Sequence, residues 1–180
     1  MRKLTLILGF LAAPLAMVVA GAVSPAHATF SGENGLLVYQ AQVGRHLQLF
    51  TVRPDGNGAR QLTRIKDSDA IDASWSRDGK RIAFARDYAA GTRREHLDIF
   101  TINADGTGLH GMGLRGLNGD PSWSPGGRII WLRRGGLGMS NADGTGFHLI
   151  RVAGDNGSPT FSPDGKRIAL VRFRTAAGAP

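Results

Sequence analysis

Of five histidines, the four beyond the N-terminal segment, His46, His96, His110 and His148, are the side chains best suited to moving protons near neutral pH. They stand in four separate segments. No Gly-x-Ser-x-Gly elbow accompanies them, and neither a His-x-x-x-His nor a His-Glu pair gives the spacing of a zinc hydrolase. The chain has no cysteine, which removes disulfides, thiolate zinc sites, a cysteine nucleophile and a lipidated-cysteine anchor together. Asn103-Ala104-Asp105-Gly106 and Asn141-Ala142-Asp143-Gly144 place oxygens at i and i+2, as Asp67-Ser68-Asp69 does beside Asp72. The twelfth position of a calcium loop would then be Leu114 or Val152 in the first two, where Glu is required. The reading is a protein that is not an enzyme and has no metal site and no cofactor.

What remains is recognition by charge. Arg45, His46, Arg86, Arg93, Arg94, His96, Arg133 and Arg134 form a cationic set interrupted by Asp67, Asp69, Asp72, Asp87 and Glu95. Planar guanidinium groups suit carboxylate and phosphate. Whether these residues act together depends on the elements that carry them.

The N-terminus is set aside first. Arg2 and Lys3 precede an apolar stretch from Leu4 to Ala22, and Ala26-His27-Ala28 offers a small-x-small site, so residues 1–28 are expected to be a secretory signal peptide cleaved after Ala28. The alternative is an uncleaved membrane anchor. Without these residues, 20 cationic side chains face 14 acidic ones. The cations are mostly Arg and scattered, with no block of five or more, so nucleic acid is not an expected partner. A cysteine-free exported chain fits a bacterial periplasm or exterior.

Residues 29–180 are repetitive. Phe30-Ser31, Trp75-Ser76, Trp123-Ser124 and Phe161-Ser162 are each followed by a Gly-containing turn and then by a strand-like run: Leu36–Tyr39, Ile82–Ala85, Ile129–Leu132 and Ile168–Val171. A second element comes later in the first three units: Leu49–Val52, Ile99–Ile102 and Gly138–Asn141, each before an Asp-Gly turn and a short further strand. Ser-Pro-Asp-Gly at 162–165 has the residue preferences of a type I turn with a glycine free to take positive φ after it. Units begin near residues 30, 66, 116 and 153, which predicts blades of about 30–65, 66–115 and 116–152 and a partial one over 153–180. Four antiparallel strands recurring every 38 to 48 residues is the period of a β-propeller blade.

The segments Trp75 to Phe84, Phe161 to Leu170 and Asp98 to Gly108 resemble the TolB-type, WD-repeat-like propeller repeat, and the resemblance covers nearly all of 30–180. It implies an all-β fold of about three and a half blades, the aromatic-Ser strand innermost and the strand after Asp-Gly outermost. It also implies protein partners of the envelope.

In such a blade the turns near Asp55, Asp78, Asp105, Gly126, Asp143 and Asp164 share one face. The segments Gln42–His46, Arg64–Asp72, Asp87–His96, Arg115–Asp120 and Arg134–Gly136 share the other, and their lengths vary. Loops on a rigid scaffold commonly carry recognition. The expectation is an exported, non-enzymatic binding or scaffolding module that takes a protein or anionic partner through this variable face. The alternative is the propeller cap of a secreted peptidase or other hydrolase. Since propellers typically have four to eight blades, two copies are expected to complete one ring, unless the chain is a truncated gene product.

Overall fold

The computed structural model describes residues 35–88 and 96–173; the expected signal peptide, its cleavage site after Ala28, Phe30-Ser31, Arg93 and Arg94 lie outside the described residues. Thirteen strands run through these residues in four antiparallel sheets, each strand beside its neighbour in sequence. The first sheet holds β1 (Leu37–Val43), β2 (His46–Val52) and β3 (Arg60–Gln61). The second holds β4 (Asp69–Trp75), β5 (Arg81–Tyr88), β6 (His96–Asn103) and β7 (His110–Gly111). The third holds β8 (Asn118–Trp123), β9 (Arg128–Arg133), β10 (Gly136–Asn141) and β11 (His148–Arg151), and the fourth only β12 (Asp155–Phe161) and β13 (Ile168–Phe173). Among the described residues no helix is long and apolar enough to cross a membrane.

Alternation along the second strand of each sheet builds the core. In β5, Ile82 and Phe84 join Leu49, Leu62 and Val38 of the first sheet, whereas Ala83 and Ala85 join Ile129 and Trp131 of the third. β9 repeats the pattern: Ile130 faces the fourth sheet and packs with Phe161, Ile168 and Leu170. The second sheet therefore offers large residues backward and small ones forward, whereas the third offers large residues both ways. Such a strand is buried on both sides, which is why 82–85 reads as an unbroken apolar run.

Trp131 shows how closely this packing is fitted. Its cross-strand partner is Gly138, and a Cβ there would lie 2.4 Å from the indole. Trp123, the aromatic of the third repeat, is buried in the same cluster and donates its indole N–H to Ser74 O of the second sheet at 3.1 Å.

The aromatic-Ser strands β4, β8 and β12 are innermost and touch one another in succession, so the sheets fan about a common axis as the repeat predicts. Pro121 and Pro159 fit there because an innermost strand is a sheet edge. The turns after these strands repeat in detail. Ser76 Oγ donates to Asp78 Oδ1 at 2.6 Å and accepts the Arg81 N–H, and Ser162, Asp164 and Arg167 do the same. Gly79 and Gly165 follow at φ 66° and 70°, values that glycine adopts freely. At the Asn-Ala-Asp-Gly-Thr segments the oxygens are spent within the turn: Asp105 Oδ1 accepts both the N–H and O–H of Thr107, as Asp143 does from Thr145.

The outermost strands of the first two sheets are shorter than the sequence suggests, two residues each. The chain peels away because a buried polar side chain on the strand before it, β2 or β6, captures the link to the next sheet. Gln48 bonds both N–H and C=O of Ile65, and Asp98 accepts the N–H groups of Gly113 and Leu114.

Candidate functional site

Among the described residues the variable face carries the β1–β2 and β9–β10 turns and the links between sheets. The structure sorts the cationic set on this face into free and committed members. Arg45 is exposed and lines an open groove of about 450 Å³ with His46, Arg64 and Lys66. His46 Nδ1 lies 3.0 Å from Asp69 Oδ1, which also accepts the Leu47 N–H and so ties the first sheet to the second. This pair orients an imidazole as a base would be oriented, yet no hydroxyl or thiol lines the groove it faces.

Arg86 is a rivet. Its side chain is 13% exposed, bonds Ser68 Oγ at 2.9 Å and Asp67 Oδ1 at 2.7 Å, and lies over the rings of Tyr88 and Phe100. Burial pushes the Tyr88 hydroxyl above its ordinary pKa. His96 stacks on Tyr88 and bonds the Gly116 carbonyl at 3.0 Å. Arg133 lies over Phe147 at 5.2 Å, and Arg134 is exposed.

Arg133 and Arg134 also border a cavity of about 730 Å³, which lies where the variable face meets the axis. Its walls bring together Asp72, Asp120 and Asp155 with the backbone of Gly119, Gly135, Gly136 and Gly154. Sequence reasoning named Asp72 among the acidic residues that interrupt the cationic set and beside the Asp67-Ser68-Asp69 cluster, and named Asp120 only as the end of a variable segment.

These two aspartates belong to a ladder. Asp72, Asp120 and Ser158 each take positive φ, 56°, 50° and 47°, at a β-bulge in the innermost strand. Gln40 Oε1 accepts the Asp72 N–H at 3.3 Å, Asp72 Oδ2 the Asp120 N–H at 3.5 Å, and Asp120 Oδ2 the Ser158 N–H at 2.9 Å. Each sheet thus grips the bulge of the next. Burial, and then the charge of Asp120, hold the Asp72 carboxyl above the usual carboxylate range. A signal was present: these residues stand three positions before Trp75, Trp123 and Phe161.

No family model matches the sequence, and no curated protein matches it. Solved structures do. A TolB from Agrobacterium tumefaciens superposes with a TM-score of 0.65 at 22% identity, over 79% of this chain and 52% of that one. The TolB from Acinetobacter baumannii gives 0.61 at 17% identity, over 83% and 40%. A gluconolactonase from Xanthomonas campestris gives 0.53 at 15% identity, over 77% and 51%. The chain spans about half the length of these structures. Its fold is that of a TolB-like β-propeller, as an incomplete ring.

Proposed function

We propose that this chain is an exported binding or scaffolding module without catalytic activity of its own, which takes a partner through its variable-loop face. The axial cavity carries the reading. Side chains and backbone from the second, third and fourth sheets converge there, and a concave site with a few polar groups on a rigid scaffold is the usual form of a binding site. Its lining is mixed in charge, with the guanidinium groups of Arg133 and Arg134 and the carboxylates of Asp72, Asp120 and Asp155 alongside glycine backbone. That suits a protein segment bearing both charges better than a uniformly anionic polymer. Export and an envelope location rest on residues 1–28, whose composition is that of a signal peptide.

The test is capture from the secreting cell with the purified chain immobilised, followed by mass spectrometry. Arg134→Glu and Arg133→Glu should weaken capture and reduce its salt sensitivity. Lys80→Glu and Lys166→Glu, on the face of uniform turns, should leave both unchanged. Equal loss from the two faces, or from neither, rejects the reading. The alternative, a cap for a hydrolase, predicts that a catalytic domain dominates the captured material.

A further inference from the structure

The joint between neighbouring sheets has two unlike sides, and the described residues leave one copy of each uncovered. The backward side is built from large residues. Ile82 and Phe84 of β5 and Ile129 and Trp131 of β9 form it, and all four are fully buried. The matching register positions in β1 are Leu37 and Tyr39, which stand 53% and 40% exposed, with Phe50 stacked against Tyr39 at 5.5 Å. The forward side is smallest on the second sheet, where it is Ala83 and Ala85 of β5, both fully buried. Its counterparts in β13 are Ala169 and Val171, both exposed, and the row continues to Phe173, 56% exposed.

Neither open side is generic apolar surface. Each repeats the register of the joints that the chain makes internally, and the size match, bulky side on small, is that of the joint between the second and third sheets, where Ile129 and Trp131 sit on Ala83 and Ala85. We propose that a second copy of this chain covers them head to tail, the β1 side of each copy seated on the β13 side of the other. The occupant follows from complementarity, since a copy of the same chain presents both halves of the joint at the required register. A head-to-tail contact either closes or polymerises. Two copies bring eight sheets, within the four to eight blades of closed propellers. Each copy spans 52% and 40% of the two TolB chains, so a pair supplies about one propeller's length.

The test is the mass of the purified chain by sedimentation at micromolar concentration, expected to be that of two copies. Tyr39→Asp and Val171→Asp should each give single copies with an unchanged far-ultraviolet spectrum. Mixing those two variants should restore a 1:1 pair, because one intact joint remains between them. The cysteine-free sequence permits a second measurement that does not rely on disruption. Tyr39→Cys and Val171→Cys, mixed, should be bridged by a short bismaleimide, while neither bridges alone. A wild-type single copy overturns the proposal and leaves the two sides to another protein or to residues beyond those described. An open polymer, a pair that survives both charge variants, or bridging within one variant alone overturns it as well.

Discussion

The joint between the second and third sheets and the open side of the first are made from the same register positions, and they differ only in having a neighbour. Trp131 and Ile129 are sealed against Ala83 and Ala85; Tyr39 and Leu37, their counterparts, face outward. The difference teaches that an apolar strand here is specified by the repeat rather than by its own surroundings. A residue type alone therefore does not say whether a side chain contributes to stability or waits for a partner.

The largest effect expected is at the sealed joint. Trp123→Ala should cost about 3 to 5 kcal/mol, measured by urea unfolding. Tyr39→Ala in the Val171→Asp background, where a copy stands by itself, should cost under about 1 kcal/mol. Equal costs would erase the comparison. Next comes Gly138→Ala, which should destabilise by about 1 to 3 kcal/mol because the new methyl drives into the Trp131 ring; a neutral outcome would show that the joint can relax.

A smaller contrast sets Asn118 against Asn156, which occupy one register position in successive sheets. Asn118 Oδ1 accepts the Trp131 indole N–H at 3.1 Å and its amide nitrogen bonds the Leu97 carbonyl. At Asn156 the position matching Trp131 is Leu170, which has no N–H to give, and Oδ1 is buried without a hydrogen bond. Asn118→Ala should cost about 1 to 3 kcal/mol and Asn156→Ala clearly less. Thermal melts of the two variants, side by side, settle the order.

The smallest effects are those of pH. Asp72 is held above its unfolded pKa, so its ionisation weakens the fold, and that penalty grows as pH rises through the raised value. Asp72→Asn keeps an acceptor for the Asp120 N–H and should stabilise at neutral pH, with the gain fading in acid. Asp78 is the reverse case: bonds from Ser76 and Lys80 lower its pKa, so its contribution is present above the unfolded value and is lost as pH falls. Melting temperatures of Asp72→Asn and Asp78→Asn across pH 3 to 7 should therefore diverge from wild type in opposite directions.

The arrangement of the sheets was legible because its signals are local. Ser76 and Asp78, or Ser162 and Asp164, complete a turn within six residues, and β5 and β9 declare their two buried sides by composition. The site was legible only in part. Arg86 reads as a surface cation, yet Ser68 and Asp67, about 19 residues earlier, hold it in place. Asp120 reads as a turn residue before Pro121, and its role depends on Asp72 and Ser158, 48 and 38 residues away. Side chains that act between sheets carry no marker within their own strand. Only their constant offset from the repeated aromatic betrays them.

The ladder along the axis has a direction. Acceptor and donor never exchange roles between successive members, so every unit is addressed to the one after it and to no other. The second and third units carry both ends of the handshake, a bulge N–H behind and a carboxylate ahead. The centre of the molecule is thus assembled by a rule that a further unit of the same kind would also obey.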